Sequence, residues 1–495
     1  MRFTAILLGL FAASHSIAQK PLTVTILHSN DLHSHMEPTA IKGKTYGGYA
    51  RQATIIKQTR AKEKNVLLLN AGDCFQGTLY FNMYDGLADL AFMNAMNYDA
   101  QCAGNHEFDK GADVLAQYVK RAKFPVLSCN IDFSHFPVLA PLIKPSAIVM
   151  VDKQKIGIVG VTTSDLENLT TLGNELKASA HLPSVQRAVD ELTKQGVNKI
   201  IVISHIGYEE DQALARGLHD VDLIVGGHSH TPLGTPPLDG WRPSGGSYPT
   251  IVKDTTGATV PVVQAWEWGK VFGRFKAQFD AAGRLTKILN PEPIVVDESI
   301  PEDPEIASLI DAFRKPIEAM GNTQIGTSAV ALTDRVKVGY LVVDSYLDAT
   351  SKLGAVAALV NPGGVRSNLE AGKLTFAMLN SVCPFRNTLT IADLTGAELV
   401  ALLNDSKGSL IPSKNFRYKV AGGSARELTI DGVAVDPAKT YKVTVNNFMA
   451  GGGDSLTTLK SVKKLDTGLI DLDAFVEFIK KMSPIGEQNE IRVSR

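Results

Sequence analysis

Six short apolar runs, at 24–27, 66–69, 126–127, 156–161, 199–203 and 223–225, alternate with stretches of helical periodicity, and four of them run straight into Asp, Asn or His. Runs this short, rich in Val, Leu and Ile and bounded by Gly, Asn, Asp or Ser, suit strands buried on both faces. The patterns between them, at 48–62, 86–96 and 184–195, suit helices. Together they predict an α/β layered domain, a sheet flanked by helices. Ligands of such sheets collect beyond the carboxyl ends of the strands, so the polar punctuation converges on one edge.

A chain of 495 residues is too long for one ordinary core, which predicts two domains. After the prolines at 232, 236 and 237 the pattern changes to hairpin-like runs at 261–267 and 271–279, which would close the first domain. Residues 301–320 read as a helix with Pro304 in its first turn and Gly321 past its end, and Pro316 predicts a kink or an earlier stop. Four segments follow: a leader at 1–18, a first domain at 19–300, a linker helix at 301–321 and a second α/β domain at 322–495. The leader has Arg2, a short apolar stretch and Ser16-Ile17-Ala18, the pattern of a cleaved signal peptide, so export is predicted, to a periplasm or the medium, with a start near Gln19. Its apolar run is too short to span a bilayer, and no stable membrane insertion is predicted. Lys and Arg number 50 against 51 Asp and Glu, with no basic stripe, which argues against nucleic-acid polymers or anionic membranes as partners. Cys74, Cys102, Cys129 and Cys383 lack paired metal-finger spacing and read mostly as buried thiols.

The polar strand ends form five blocks: Asp31-x-His33, Gly72-Asp73, Gly104-Asn105-His106-Glu107, His205, and Gly227-His228-x-His230. Residues at i and i+2 of an extended segment can face one point. Imidazole with carboxylate and an amide oxygen suits Zn, Mn or Fe better than Ca or Mg. In the stretch "HSNDLHSH" (28–35), His28 falls in the strand and reads as structural. His35, two residues past His33, could line a pocket. His135, His181 and His219 belong to no block.

In this order the five blocks resemble the calcineurin-like metallophosphoesterases. With the C-terminal half included, essentially the whole mature chain resembles the secreted 5′-nucleotidase / UDP-sugar hydrolase family. The resemblance implies a four-layer α/β metallophosphoesterase sandwich followed by a C-terminal α/β substrate-binding domain. It implies two divalent metal ions (Zn, Mn or Co), one held by Asp31, His33, Asp73 and His230 and the other by Asp73, Asn105, His205 and His228. His230 stands where some members carry Gln. It further implies that His106 and Asp109 form a catalytic dyad, with Glu107 in support, while a metal-activated water attacks phosphorus.

The second half has its own polar stretches. "NPGGVRSNL" (361–369) sets a glycine pair beside Arg366, which suits an anion. "CPFRN" (383–387) and "NNFMAGGGDS" (446–455) each place a Phe in a loop, where a ring can stack on a base or, alternatively, fill the core. The resemblance favours the base: Phe385 and Phe448 would sandwich it, Asn387 would meet its edge, Asp454 the sugar hydroxyls, and Arg366 the phosphate. Arg335, in "TDRVKVGYL" (333–341), fits a further phosphate contact, and Arg386 could supplement it. The implied activity is hydrolysis of nucleoside 5′-monophosphates, extending to UDP-sugars. The alternatives are a 2′,3′-cyclic nucleotide phosphodiesterase and a catalytically silent nucleotide-binding protein.

Overall fold

The computed structural model describes residues 20–166, 176–385 and 387–495. The expected leader, the start near Gln19 and Arg386 lie outside the described residues.

In the first half, β1 (Leu22–Ser29), α1 (Tyr49–Lys62), β2 (Val66–Asn70), α2 (Leu87–Ala95), β3 (Ala100–Cys102), α3 (Gly111–Arg121) and β4 (Val126–Leu127) alternate strand with helix. They are followed by β5 (Ser146–Val151), β6 (Gln154–Thr162), α4 (His181–Lys194), β7 (Ile200–His205), α5 (Tyr208–Gly217) and β8 (Leu223–Gly226). Four more strands, β9 (Thr250–Lys253), β10 (Thr259–Gln264), β11 (Val271–Phe279) and β12 (Leu285–Val295), complete two six-stranded sheets. Their orders are β12-β11-β1-β2-β3-β4 and β9-β10-β8-β7-β6-β5.

Which side chains are buried together shows the layering. Val24, Ile26, Leu67 and Leu69 of one sheet meet Ile156, Ile158, Ile203 and Val225 of the other in a shared core. On the far side of the first sheet, Leu27 and Leu68 pack with Ile56, Phe92 and Leu115 of its helices. On the far side of the second, Val159, Val202 and Ile224 pack with Val185, Leu192 and Leu214. The result is helix, sheet, sheet, helix, and strands buried on both faces explain the unbroken apolar runs.

The strands after residue 232 do more than close this domain. β11 runs antiparallel to β1 (Leu22 opposite Phe279), and β10 runs parallel to β8 (Val225 opposite Val263). Both sheets are therefore unfinished without that part of the chain.

The next helix, α6 (Pro304–Gly321), is capped by Asp303, whose carboxylate accepts the Ile306 N–H at 3.1 Å. It runs through Pro316 without the expected stop. Ile310 and Ile317, buried on either side of that residue against the first domain, hold the turn that the missing N–H weakens.

The second domain is built on α7 (Arg335–Thr350), β13 (Ala357–Val360), β14 (Thr388–Thr395), β15 (Ile411–Pro412), β16 (Thr440–Asn446), β17 (Lys463–Ile470) and α8 (Asp471–Met482). Its central sheet has the order β15-β13-β16-β14-β17, with a separate apolar core on each face. β13 is parallel to β16, and β14 antiparallel. The segments after β13 and β16 and the segment before β14 therefore share one edge. All four cysteines are free, three of them buried. Among the described residues no helix is long and apolar enough to cross a membrane.

Candidate metal centre and substrate cleft

The loops after β1, β2, β3 and β8 meet the last residue of β7 at the carboxyl edges of the two sheets. Parallel pairing of β1 with β2 continues into their loops. Asp31 N–H donates to Gly72 O and His33 N–H to Asp73 O, each at 3.0 Å. Asp31, His33, Asp73, His228 and His230 all adopt left-handed backbone, with φ of 49°, 47°, 54°, 72° and 49°. Each such conformation costs a residue other than glycine about 1–3 kcal/mol. Five of them in one place mark a site where the fold sustains strain to aim side chains. Gly104 is required there for another reason: a Cβ would lie 2.2 Å from Asp73 Oδ1.

Two groups of potential metal ligands result, Asp31 with His33 and His230, and Asp73 with His205 and His228; within each group the ligand atoms lie within 4.8 Å of one another. His230 Nε2 is 3.2 Å from Asp31 Oδ1 and 3.1 Å from His33 Nε2. His205 Nε2 is 3.1 Å from Asp73 Oδ2 and 3.2 Å from Asn105 Oδ1, and His228 Nδ1 is 3.0 Å from that same amide oxygen. Asp73 Oδ2 is also 3.9 Å from His33 Nε2, so Asp73 stands between the groups.

The far nitrogens of three rings are already engaged. His33 Nδ1–H donates to Phe75 O (3.0 Å), His205 Nδ1–H to Ala71 O (2.6 Å) and His230 Nδ1–H to Glu267 Oε2 (2.5 Å). A ring that donates from Nδ1 presents a lone pair at Nε2. The interior is thus lined by lone pairs and carboxylate oxygens facing one another at contact distance. Such an arrangement is repulsive unless positive charge enters it. Nitrogen and oxygen donors in this mixture fit a divalent transition-metal cation.

The same demand for positive charge raises two of the rings, which present their lone pairs only when deprotonated. Burial opposes a charged imidazole, yet Asp73 lifts His205 to about 9 and Asp31 lifts His230 to about 10. Burial opposes an ionised Asp73 as well, but His205 and His106 outweigh it and hold that carboxyl well below the usual range. His33 goes the other way, to about 3, under desolvation.

Beside this centre, His106 Nδ1–H donates to Asp109 Oδ2 at 2.7 Å. Burial disfavours its charge, but Asp109 and Asp73 overcome that and raise the ring to about 9. Glu107 is directed away from the cleft. Its carboxylate accepts the N–H groups of Asp73 (3.0 Å), Cys74 (2.7 Å) and Gly104 (2.6 Å), pinning two of the loops together. His28 lies between the sheets with Nε2 2.8 Å from Tyr248 Oη, and His35 stacks on Trp268 with ring centroids 4.2 Å apart. Neither is among the potential metal ligands.

A cleft of about 1040 Å³ runs from these residues to the second domain. It is lined by His33, Asn105, His106, Asp109 and His230 on one side and by Arg335, Arg366, Phe385, Asn387, Phe448 and Asp454 on the other. Phe385 sits between the two, its ring 6.5 Å from that of His106 and 5.6 Å from Arg366 Cζ. Phe448 departs from the expected loop: it lies in a one-turn helix, Asn447–Ala450, half-buried against the core. Asp454 is positioned by Asn361, whose Nδ2 donates to Oδ2 at 2.6 Å, and Asn361 is itself tied to Asn446 at 3.1 Å. Asn387 reaches the cleft while its Nδ2 donates to Asp471 at 3.1 Å.

Sequence reasoning missed Asn30, Glu267, Trp268 and Asn361. Asn30 Nδ2 donates to Asp31 Oδ2 and to Trp266 O, both at 2.6 Å, and Trp268 N–H donates to Asp31 O at 2.7 Å. The only available signal for the 266–270 segment was two tryptophans around an acid.

Residues 24–232 match the calcineurin-like phosphoesterase family, and residues 320–461 match the 5′-nucleotidase C-terminal domain. The snake venom 5′-nucleotidase of Crotalus adamanteus is 33% identical, across 96% of this chain and 89% of its own length. The 5′-nucleotidase of Homo sapiens is 33% identical, across 95% of this chain and 90% of its own. Among solved structures, the 5′-nucleotidase precursor from Thermus thermophilus is 39% identical and superposes with a TM-score of 0.84, covering 96% of this chain and 99% of that one.

Proposed function

The chain belongs to the 5′-nucleotidase family of metal-dependent hydrolases, and from that premise we propose that it hydrolyses nucleoside 5′-monophosphates to nucleoside and phosphate with two divalent cations bound. The observation that carries the reading is the pair of lone-pair-lined groups joined at Asp73. Asp31, His33, Asp73 and His230 would hold one cation, and Asp73, Asn105, His205 and His228 the other. Bound there, divalent cations supply Lewis acidity: they draw charge from phosphoryl oxygens and lower the pKa of water.

The remaining roles belong to the chain. His106, oriented through Nδ1 by Asp109, presents Nε2–H to a phosphoryl oxygen, where charge builds as the ester bond breaks. Arg366 and Arg335 face the same phosphate across the cleft. Phe385 and Phe448 offer aromatic faces to the base, and Asn387 its edge contact. Asp454, held by Asn361, accepts from the sugar hydroxyls. Export through the expected leader would place the enzyme where extracellular nucleotides are salvaged.

The test is phosphate release from AMP, UDP-glucose, a 2′,3′-cyclic nucleotide and p-nitrophenyl phosphate, after EDTA treatment and after adding back Mn, Co or Zn. AMP should be the best substrate, chelation should abolish turnover, and add-back should restore it. Undiminished AMP hydrolysis by protein shown to be metal-free would refute the mechanism. A preference for the cyclic nucleotide or UDP-glucose would reassign the substrate.

A further inference from the structure

The two ligand groups are not supported alike. His33 and His205 are oriented by the neutral carbonyls of Phe75 and Ala71, whereas His230 donates to the carboxylate of Glu267 at 2.5 Å. Glu267 is in turn held by Lys270, whose Nζ lies 2.6 Å from Oε1. Lys270 is only 2% exposed. Its ammonium sits 3.8 Å from the ring centroid of Trp266 and 4.3 Å from that of Trp268, a cation–π clamp on a desolvated charge. The same segment grips Asp31 through Trp268 N–H and, by way of Asn30, through Trp266 O. Each of these ties leads to Asp31 or His230, members of one group; the other group meets Asp31 only through the His228 N–H, which donates to its carboxylate at 3.0 Å, and His205 Nε2 at 4.0 Å.

We propose that Glu267 and Lys270, clamped by Trp266 and Trp268, are positioning residues that set cation binding at the Asp31–His33–His230 group and make no direct contact with the ligand atoms of the Asp73–His205–His228 group. The inference rests on the two-cation reading above. A carboxylate behind a histidine fixes the ring's orientation and its tautomer and makes the ligating nitrogen more basic. Loss of such a partner typically weakens metal binding by roughly 10–100-fold. Lys270 completes the device, because an isolated carboxylate in this setting would be costly to bury. The two sites should therefore fill with different affinities, the difference being set by a segment that supplies no ligand atom of its own.

The chain carries its own reporter. Its three tryptophans, Trp241, Trp266 and Trp268, form one neighbourhood, with Trp241 and Trp266 ring centroids 4.4 Å apart. Intrinsic emission should therefore respond to the first group and be silent to the second.

The experiment titrates chelated, full-length protein with Zn, following tryptophan emission and counting bound metal by elemental analysis. Wild type should take up two equivalents, with emission changing during one of them. The double variant Glu267→Gln/Lys270→Met removes both charges together, so no unpaired ion is left buried. It should bind the silent equivalent unchanged and require roughly 10–100-fold more Zn for the emissive one. Glu267→Asp, which keeps the charge but withdraws the carboxylate from the ring, should show the same selective loss, and it serves if the double variant does not fold. Both steps unmoved, or both weakened together, would overturn the inference while sparing the functional reading. A wild-type protein that binds no metal would remove the reading, and the inference with it.

Discussion

Three histidines within eight residues meet three different fates. His28 continues the strand's alternation and turns between the sheets to Tyr248, its pKa lowered to about 3 by desolvation. His33, beyond the strand, is swung by left-handed backbone toward His230 and Asp73. His35 folds back to put Nδ1–H on the His33 carbonyl at 2.8 Å and its ring on Trp268. The two-residue spacing exposed Asp31 and His33 as a pair, and residue chemistry marked them for a cation. Nothing local marked Glu267, which lies 37 positions along the chain from His230. At this scale the dyad is the sharpest test. His106→Ala removes no potential ligand, so both cations should stay bound while kcat falls by about 10²-fold or more. Elemental analysis beside AMP turnover checks it, and near-full activity in the metal-loaded variant would exclude the dyad.

The elements show where periodicity stops informing. Each apolar run of the sequence reading overlaps a strand of the sheets, most strands running on by one or two residues at an end: the run at 24–27 belongs to Leu22–Ser29 and 66–69 to Val66–Asn70, whereas the run at 261–267 stops at Gln264. Strand ends carry the polar residues that also make turns, so composition alone cannot place them. Helix α5 adds a feature that periodicity could not reveal. Asp211, in its first turn, is buried against Gly226 at the end of β8, where a Cβ would come within 2.1 Å of the carboxylate. Burial pushes the carboxyl to about 8, with Ser204 and His205 offsetting part of the effect. Between about pH 4 and 8 the folded chain thus keeps a proton that the unfolded chain has released. Stability should fall as pH rises through that window, by up to about 1.4 kcal/mol per unit, and level off above it. Asp211→Asn has no proton to lose there. Thermal melts from pH 6 to 8 should show wild type losing stability relative to the variant; parallel curves would count against a buried neutral acid.

Over the whole molecule, the substrate cleft belongs to neither domain alone. One wall comes from the first domain's strand ends and the other from the second domain's sheet edge. α6 is docked on the first domain through Ile306, Ile310 and Ile317, and a Cβ at its last residue, Gly321, would lie 3.3 Å from both Ala377 of the second domain and Leu79 of the first. Asn82 of one domain donates to Asn380, beside the cleft in the other. Tying these positions together as Asn82→Cys/Asn380→Cys should lower turnover when the cross-link is closed and restore it on reduction, because nucleotide must enter and nucleoside leave between the walls. Equal rates in both states would show that the domains need not part.

By itself the sequence determined the layered α/β plan and the chemical character of the centre. Those follow from short-range facts: apolar runs, turn residues at their ends, and side chains whose donor atoms are fixed by type. The tertiary structure decided which acceptors face one another, that Glu267 and Lys270 stand behind a single ligand, and that Phe385 comes to lie beside His106. Such relations depend on the distance between segments remote in the chain, and electrostatic interaction depends on that distance rather than on sequence separation.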